Sequence, residues 1–413
     1  MATKSAKNSA HHQWDEDSGS VMTFDWQWVV IAAGLVVSGF ALVASAFYLR
    51  RLQLPRSQTP GRATLILPLT GVASGLEDLL DALAGQTLPP RRLLIAVEAM
   101  ADPAYSRAKA IEHRAPFPIE VVIAGPATRC GQKCWNQIAA AERIDAEDDA
   151  VVLLDADILP QSWWLSALIS PIMDGTADIV TGYRWPIAAR HTLGVHLILA
   201  IDRVIGLLPR FRWVRATWGG TLSLSQRAFR LLDVRSTLGR TLSDDSSVGE
   251  RAAALGLRVL TRRALLVKTP LSFDLVQAWR FGRRQYQIMH VHRPLVWAIA
   301  FLILTIRLAA WGVVIAHLGT SLVAQLGAVL LVGLAATKLA VRRGIAARLG
   351  YGDPMGVRAA QLALAVFEPV VDLFHWSMVL AAARTRRIYW GHLSYEVRGP
   401  QDVTVVDRAP WHS

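Results

Sequence analysis

Two carboxylates stand two residues apart at the end of an apolar run, in Val151-Val-Leu-Leu-Asp-Ala-Asp-Ile-Leu-Pro160. The run predicts a buried strand over Val151–Leu154, and alternation points Asp155 and Asp157 to one side of its end. Hard oxygen ligands there suit Mg²⁺ or Mn²⁺, which bridges protein carboxylates to substrate phosphates. A polar strand exit with solvated acids is the plainer alternative. Downstream, Thr217-Trp-Gly-Gly-Thr-Leu-Ser-Leu-Ser225 carries a glycine pair, Gly219 and Gly220, where backbone can approach a ligand closely. Leu242-Ser-Asp-Asp-Ser246 stands at the predicted start of a helix running to Leu255. Asp244 or Asp245 is then either a helix cap or a general base at a helix N-terminus. In Gln277-Ala-Trp-Arg-Phe-Gly-Arg-Arg-Gln-Tyr286, Arg280 and Arg283 are three apart on one helical face, with Arg284 beside them. That spacing suits a diphosphate clamp; a basic juxtamembrane helix on anionic headgroups is the alternative.

These motifs need a scaffold, and the chain supplies a recurrent one. Short β-rich runs at Ala63–Leu67, Leu93–Val97, Glu120–Ala124, Val151–Leu154 and Asp178–Thr181 alternate with helical stretches such as Gly75–Ala84 and Gln132–Ala141. The pattern predicts an α/β domain over residues 50–294 with a mostly parallel sheet covered on both faces. Ligands in such sheets collect at the carboxyl ends of strands.

Membrane segments flank this domain. Residues 28–49 carry no charge and are long enough to cross a hydrocarbon core of about 30 Å. Asp15, Glu16, Asp17 and Asp25 precede the run and Arg50, Arg51 and Arg56 follow it. The charge bias places residues 1–27 outside and the following domain in the cytoplasm. Residues 295–383 form a second apolar region, with Leu295–Ile315, Leu318–Thr337 and Ala359–Ala383 as its segments. Three full crossings would put the basic tail, 384–413, outside, so Ala359–Ala383 is expected to be re-entrant or interfacial. Arg307 is expected to pair with Glu368 or Asp372, or to line a slot for a lipid headgroup.

The 413 residues include 44 Lys+Arg against 32 Asp+Glu, a net charge of +12, with 53% hydrophobic and 18% charged residues. Ordinary soluble domains carry roughly 25% charged residues; the ample apolar surface excludes disorder as the main character, and its clustering argues against a purely soluble protein. The 15 Trp suit a lipid–water boundary. The basic residues cluster beside membrane segments, which argues for lipid rather than nucleic acid as the polyanion. Cys130 and Cys134, the two cysteines, read as small packing residues.

The order of these features resembles that of inverting GT-A glycosyltransferases, and is most similar to membrane-bound ceramide glucosyltransferases and their bacterial relatives. The resemblance spans roughly residues 28 to 400, including the aromatic tail segment Ile388-Tyr-Trp-Gly-His-Leu-Ser-Tyr395. It implies a UDP-sugar donor, a ceramide-like lipid acceptor, a divalent cation and a multi-pass protein of the bacterial inner membrane. By motif, it implies that Asp155 supports the nucleotide, Asp157 coordinates the metal and Asp245 deprotonates the acceptor hydroxyl. Lys133 and Asn136, in Gly131-Gln-Lys-Cys-Trp-Asn136, match the family's Lys and Asn near the nucleotide; Arg280 and Arg283 match its paired basic residues. Two departures stand out. The Trp of the (Gln/Arg)-x-x-Arg-Trp motif is absent: Arg284 follows Arg283, or Phe281 follows Arg280. The family's first Asp is also missing from Ala96-Val-Glu-Ala-Met-Ala-Asp-Pro103, leaving Glu98 or Asp102 for the uridine, with Glu98 favoured at the strand end.

The stretch His191 to Leu208, with Thr192, His196 and Arg203 on one face, predicts an interfacial helix with its apolar face in lipid. Trp163 and Trp164 offer either an acceptor contact or core packing. A transferase of the same fold acting on a hopanoid, a polyprenyl phosphate or a diacylglycerol remains open, as does a catalytically silent scaffold. Four membrane segments are few for the channel of a processive polysaccharide synthase.

Overall fold

The computed structural model describes residues 26–55, 59–214 and 216–411. The acidic residues ahead of Trp26, and Arg56, lie outside the described residues, and so does almost all of the expected outer segment 1–27.

Helix α1 (Trp26–Arg51) is followed by β1 (Ala63–Pro68), α2 (Leu76–Ala84), β2 (Arg92–Val97), α3 (Pro103–Ile111), β3 (Ile119–Ile123), α4 (Gln132–Ala141) and β4 (Ala150–Leu154). Then come α5 (Trp164–Met173), β5 (Ile179–Ala188), α6 (Leu193–Ile205), β6 (Thr221–Ser225), α7 (Gln226–Leu232), α8 (Val234–Leu238), α9 (Asp244–Ala254), β7 (Val259–Leu271) and α10 (Leu275–His292). The chain closes with α11 (Pro294–His317), α12 (Leu322–Arg348), α13 (Met355–Val366), α14 (Glu368–Ala382), β8 (Arg387–Trp390), β9 (Leu393–Gly399) and β10 (Asp402–Arg408).

Strands β1 to β7 form one sheet in the order β3-β2-β1-β4-β6-β5-β7. It is parallel except for β6, which runs antiparallel to both β4 and β5. Both faces are buried, which explains the unbroken apolar runs. Alternate residues enter separate cores: Leu65, Leu67, Val152 and Leu154 on one face, Ile66, Val151, Leu153, Cys130 and Cys134 on the other. Trp164 is fully buried in the first core and donates to the Thr221 hydroxyl at 3.3 Å, so it is a packing residue. Strand order reverses between β1 and β4, and that switch point is where such sheets bind ligands.

Three helices, α1, α11 and α12, are long and apolar enough to cross a membrane. Helices α1 and α12 run parallel to each other, and α11 runs antiparallel to both. The Gln27 side chain meets the Ser321 hydroxyl at 3.1 Å at one end, and Arg348 donates to the Leu49 carbonyl at 2.7 Å at the other. Gly34 permits the close approach of α1 to α11, since a Cβ there would collide with that of Ala310. Helix α12 begins later than Leu318 and runs past Lys338 to Arg348. Lys338 is tolerated inside it because its ammonium meets Glu368 at 2.6 Å.

The segment Ala359–Ala383 falls on α13 and α14, which are bent by 84° about Phe367. Pro369 in the first turn of α14 lacks the N–H that would continue α13. Their 12 and 15 residues rise about 18 and 22 Å, too short for either to span alone. Beyond the bend the tail returns to the α/β domain as a separate sheet, β10-β9-β8. The interfacial expectation for 191–208 is corrected. Helix α6 buries Val195, Leu197, Ile198, Leu199 and Ile201 against protein, packing on β5, α10, α13 and α14. Arg203 is held there by a two-pronged pair with Asp353 at 2.7 and 2.8 Å.

Candidate active site

A cavity of about 530 Å³ opens at the carboxyl ends of β1 and β4. Its acidic wall is Asp155 and Asp157 after β4 with Asp244 and Asp245 at the start of α9; Lys133 of α4 lies among them. Its apolar lining includes Ile198 and Ile201 of α6, Phe281 and Ile288 of α10, and Met378 of α14.

Strand β4 ends at Leu154, so the two acids sit in the turn that follows. Lys133 Nζ lies 2.7 Å from Asp155 Oδ1 and 3.0 Å from Asp244 Oδ2. Gln137 donates to the same Asp244 oxygen at 2.8 Å. Burial opposes the ammonium charge, but the Asp155 and Asp244 carboxylates outweigh it and hold the Lys133 pKa well above its usual value. Burial also pushes Asp155 up to about 6, with Asp157 and Asp244 adding repulsion against the pull of Lys133. Asp157 is exposed on the wall and makes no hydrogen bond among the described residues.

The cap of α9 is Ser243, whose hydroxyl accepts from Ser246 N, so neither aspartate is the cap. Asp245 Oδ1 accepts from Ser243, and from Ser246 N at 2.6 Å. Its Oδ2 has no hydrogen bond among the described residues, and the side chain lines the cavity. The glycine pair makes room for neighbouring side chains: a Cβ on Gly219, which lines the cavity, would strike the Asp244 carboxylate, and one on Gly220 the Trp218 ring.

Other expected residues are placed differently. Asn136 is buried and donates to the carbonyls of Leu69 and Ala96, both at 3.0 Å, tying the ends of β1 and β2 together at the cavity edge. Glu98 does not line the cavity: it is buried and engaged by Arg408 and by His392, whose Nε2 is 3.0 Å from its Oε2. Asp102 caps α3 and accepts from Gly71 N at 2.8 Å. Arg280 is exposed and Arg283 lies over the Trp279 ring at 5.5 Å, both away from the cavity. The face of α10 turned inward recurs at Phe281, Arg284, Gln285 and Ile288, and 280 and 283 fall outside that arc. Arg284 is therefore the arginine of the cluster that reaches the site. Burial, then its neighbour Arg184, lowers its pKa to about 10.

Arg184, Tyr183, Asp202 and Arg210 line the cavity and carried no motif in the sequence. Asp202 of α6 accepts from Arg184 and, at 3.1 Å, from the Tyr183 hydroxyl. Burial and Asp202 push Tyr183 up to about 12. Arg184 lies over the Phe281 ring at 4.8 Å, and Arg210 over Tyr183 at 4.6 Å. The available signal was the interruption of an apolar strand by Arg184, four residues before the run ends at Ala188.

The profile of glycosyl transferase family 21 matches residues 26–402. The chain belongs to that family. Its α/β architecture is the GT-A type, with one N-terminal and two C-terminal membrane-length helices beside the bent pair. Among solved structures, this glycosyltransferase is similar to the mannosyltransferase PcManGT from Pyrobaculum calidifontis, solved with GDP-Man and Mn²⁺. The identity is 17%, with 86% of this chain and 97% of that chain covered and a TM-score of 0.48. It is also similar to S. aureus TarS 1-349 in complex with UDP-GlcNAc, at 10% identity, 84% and 100% coverage and a TM-score of 0.38. A third is glucosyl-3-phosphoglycerate synthase from Mycobacterium tuberculosis with Mn²⁺ and UDP-glucose, at 15% identity, 56% and 78% coverage and a TM-score of 0.35. A comparison with curated proteins found no match.

Proposed function

We propose that this glycosyltransferase moves a hexose from a UDP-sugar to the hydroxyl of a membrane lipid of the ceramide class, inverting the anomeric carbon. One observation carries the reading. The cavity that holds Asp245 is also lined by α6, α10 and α14, and α14 packs against the membrane-length helix α11. A lipid can thus bring its headgroup to the acids while its chains stay with the apolar helices.

Asp245 takes the proton of the acceptor hydroxyl; the oxygen attacks the anomeric carbon, and the bond to the diphosphate oxygen breaks with its electrons leaving on UDP. An α-linked donor gives a β-linked lipid. Arg284 offsets the charge that develops on the diphosphate. Lys133 keeps Asp155 and Asp244 in register behind the reacting atoms. Among the described residues no three His, Cys, Asp or Glu gather as a closed metal site. An open Asp157 beside Asp155 fits a cation that completes its shell with substrate oxygens. These two residues would hold Mg²⁺ or Mn²⁺, which when bound supplies charge neutralisation at the leaving group.

The basic residues Arg50 and Arg51 at the end of α1, and Arg348 at the adjacent end of α12, support a cytoplasmic catalytic domain in a bacterial inner membrane. On this reading 28–49 is the anchor, 50–294 the catalytic domain, 295–383 the membrane bundle and 384–413 a tail on the catalytic side. The test is UDP release by detergent-solubilised protein with a panel of UDP-sugars, Mg²⁺ or Mn²⁺, with and without ceramide. Ceramide-stimulated release that vanishes in Asp245→Asn is the expected result. Turnover indifferent to ceramide turns the search to other lipids, and no turnover with any donor defeats the proposal.

A further inference from the structure

The two departures noted in the sequence meet at one element, the C-terminal sheet. Glu98 is the acid left at the end of β2, and it is gripped by the tail: Arg408 donates to Oε1, and His392 approaches Oε2. Arg408 also donates to the Ala127 carbonyl at 2.9 Å, and Val405 N to the Thr128 carbonyl at 3.0 Å. Strand β10 therefore straps the loop between β3 and α4. From β9, the Tyr395 hydroxyl accepts Gln132 N at 3.1 Å, in the first turn of the helix that carries Lys133. The second departure is the Trp missing from the α10 motif. An indole is nevertheless present: Arg284 lies over the Trp390 ring at 4.9 Å, brought there by β8. Trp390 and His392 both line the cavity.

We propose that the C-terminal sheet is a wall of the nucleotide-sugar site, in which Trp390 positions Arg284 toward the diphosphate and His392, braced by Glu98, contacts the nucleoside. This rests on the UDP-sugar donor proposed above. A guanidinium laid on an indole face is held out of the rotamers it would otherwise explore, so its charge is delivered in one place. A carboxylate beside one imidazole nitrogen fixes the ring and leaves the other edge to a ligand. Ligands bind outside the carboxyl ends of the strands in such sheets, and Glu98, after β2 beside β1, draws His392 to that end.

The experiment is calorimetric titration of UDP with Mn²⁺ into the full-length solubilised chain. Trp390→Ala and His392→Ala are each expected to weaken UDP by about tenfold. Trp390→Phe should recover most of that affinity. Tyr389→Ala, an exposed neighbour on the same strand, should change nothing. Melting of the ligand-free proteins is measured in parallel. If the alanine variants melt early, Trp390→Leu against Trp390→Phe decides: weak binding in Leu and restored binding in Phe supports the inference, and equal affinity overturns it. Equal UDP affinity in the wild type, Trp390→Ala and His392→Ala overturns it while leaving the donor in place. A folded wild type that binds no UDP overturns the donor reading as well.

Discussion

Two buried groups of charges sit in this glycosyltransferase. At the carboxyl end of the sheet, Lys133 is shared between Asp155 and Asp244, while Asp157 and Asp245 beside them face the cavity. Between α11, α12 and α14, Arg307 lies 2.7 Å from Glu368 and 3.0 Å from Asp372, and Lys338 also reaches Glu368. None of these four lines the cavity. Both groups take charge out of water, but only the first leaves carboxylates unmatched beside a space large enough for substrate. The second is closed on itself, two positive against two negative, and joins three helices. Burial of charge is thus a poor marker of chemistry; an unmatched carboxylate on a cavity wall is a better one.

That contrast can be broken by substitution. The largest effect is expected from Asp245→Asn: transfer to lipid falls by about 10²–10⁴-fold while UDP affinity, read by calorimetry, is kept. Asp157→Asn comes next, with kcat/KM lower by about a hundredfold and the response to added Mn²⁺ lost. EDTA should stop the wild-type reaction in the same assay. Arg307→Leu leaves Asp372 buried without a cation, since Lys338 still reaches Glu368, and is expected to cost about 3–5 kcal/mol, seen as a lower melting temperature in detergent. Replacing all four members of that cluster with leucine should restore melting, with UDP affinity near wild type in both. The smallest effect belongs to Arg280→Ala, within about twofold of wild-type turnover, as for an exposed side chain. Loss of activity there would place the clamp on the wrong face of α10.

Much of the fold was legible along the chain. The run Val151–Leu154 became β4, Gln132–Ala141 became α4 without a shift, and residues 28–49 lie inside α1. The later strands were less visible. Strand β7 begins with exposed residues and carries Arg262 and Arg263, and neither it nor β6, which follows Gly219 and Gly220, was among the expected strands. In the site, the acids after β4 and in the first turn of α9 could be singled out because a strand or helix end fixes where a neighbouring side chain emerges. Glu98 was misjudged, since position at a strand end says nothing about a partner 310 residues away.

The sequence by itself determined the order of elements, the apolar helices and the acidic motifs, because periodicity and strand ends are local properties of the chain. Only the tertiary structure decided that Arg284 rather than Arg280 or Arg283 enters the cavity, that Arg184 and Asp202 stand beside it, and that the tail closes its edge. Those outcomes depend on how α10 is rotated against α6 and α14 and on contacts between segments remote in sequence, neither of which leaves a periodic trace.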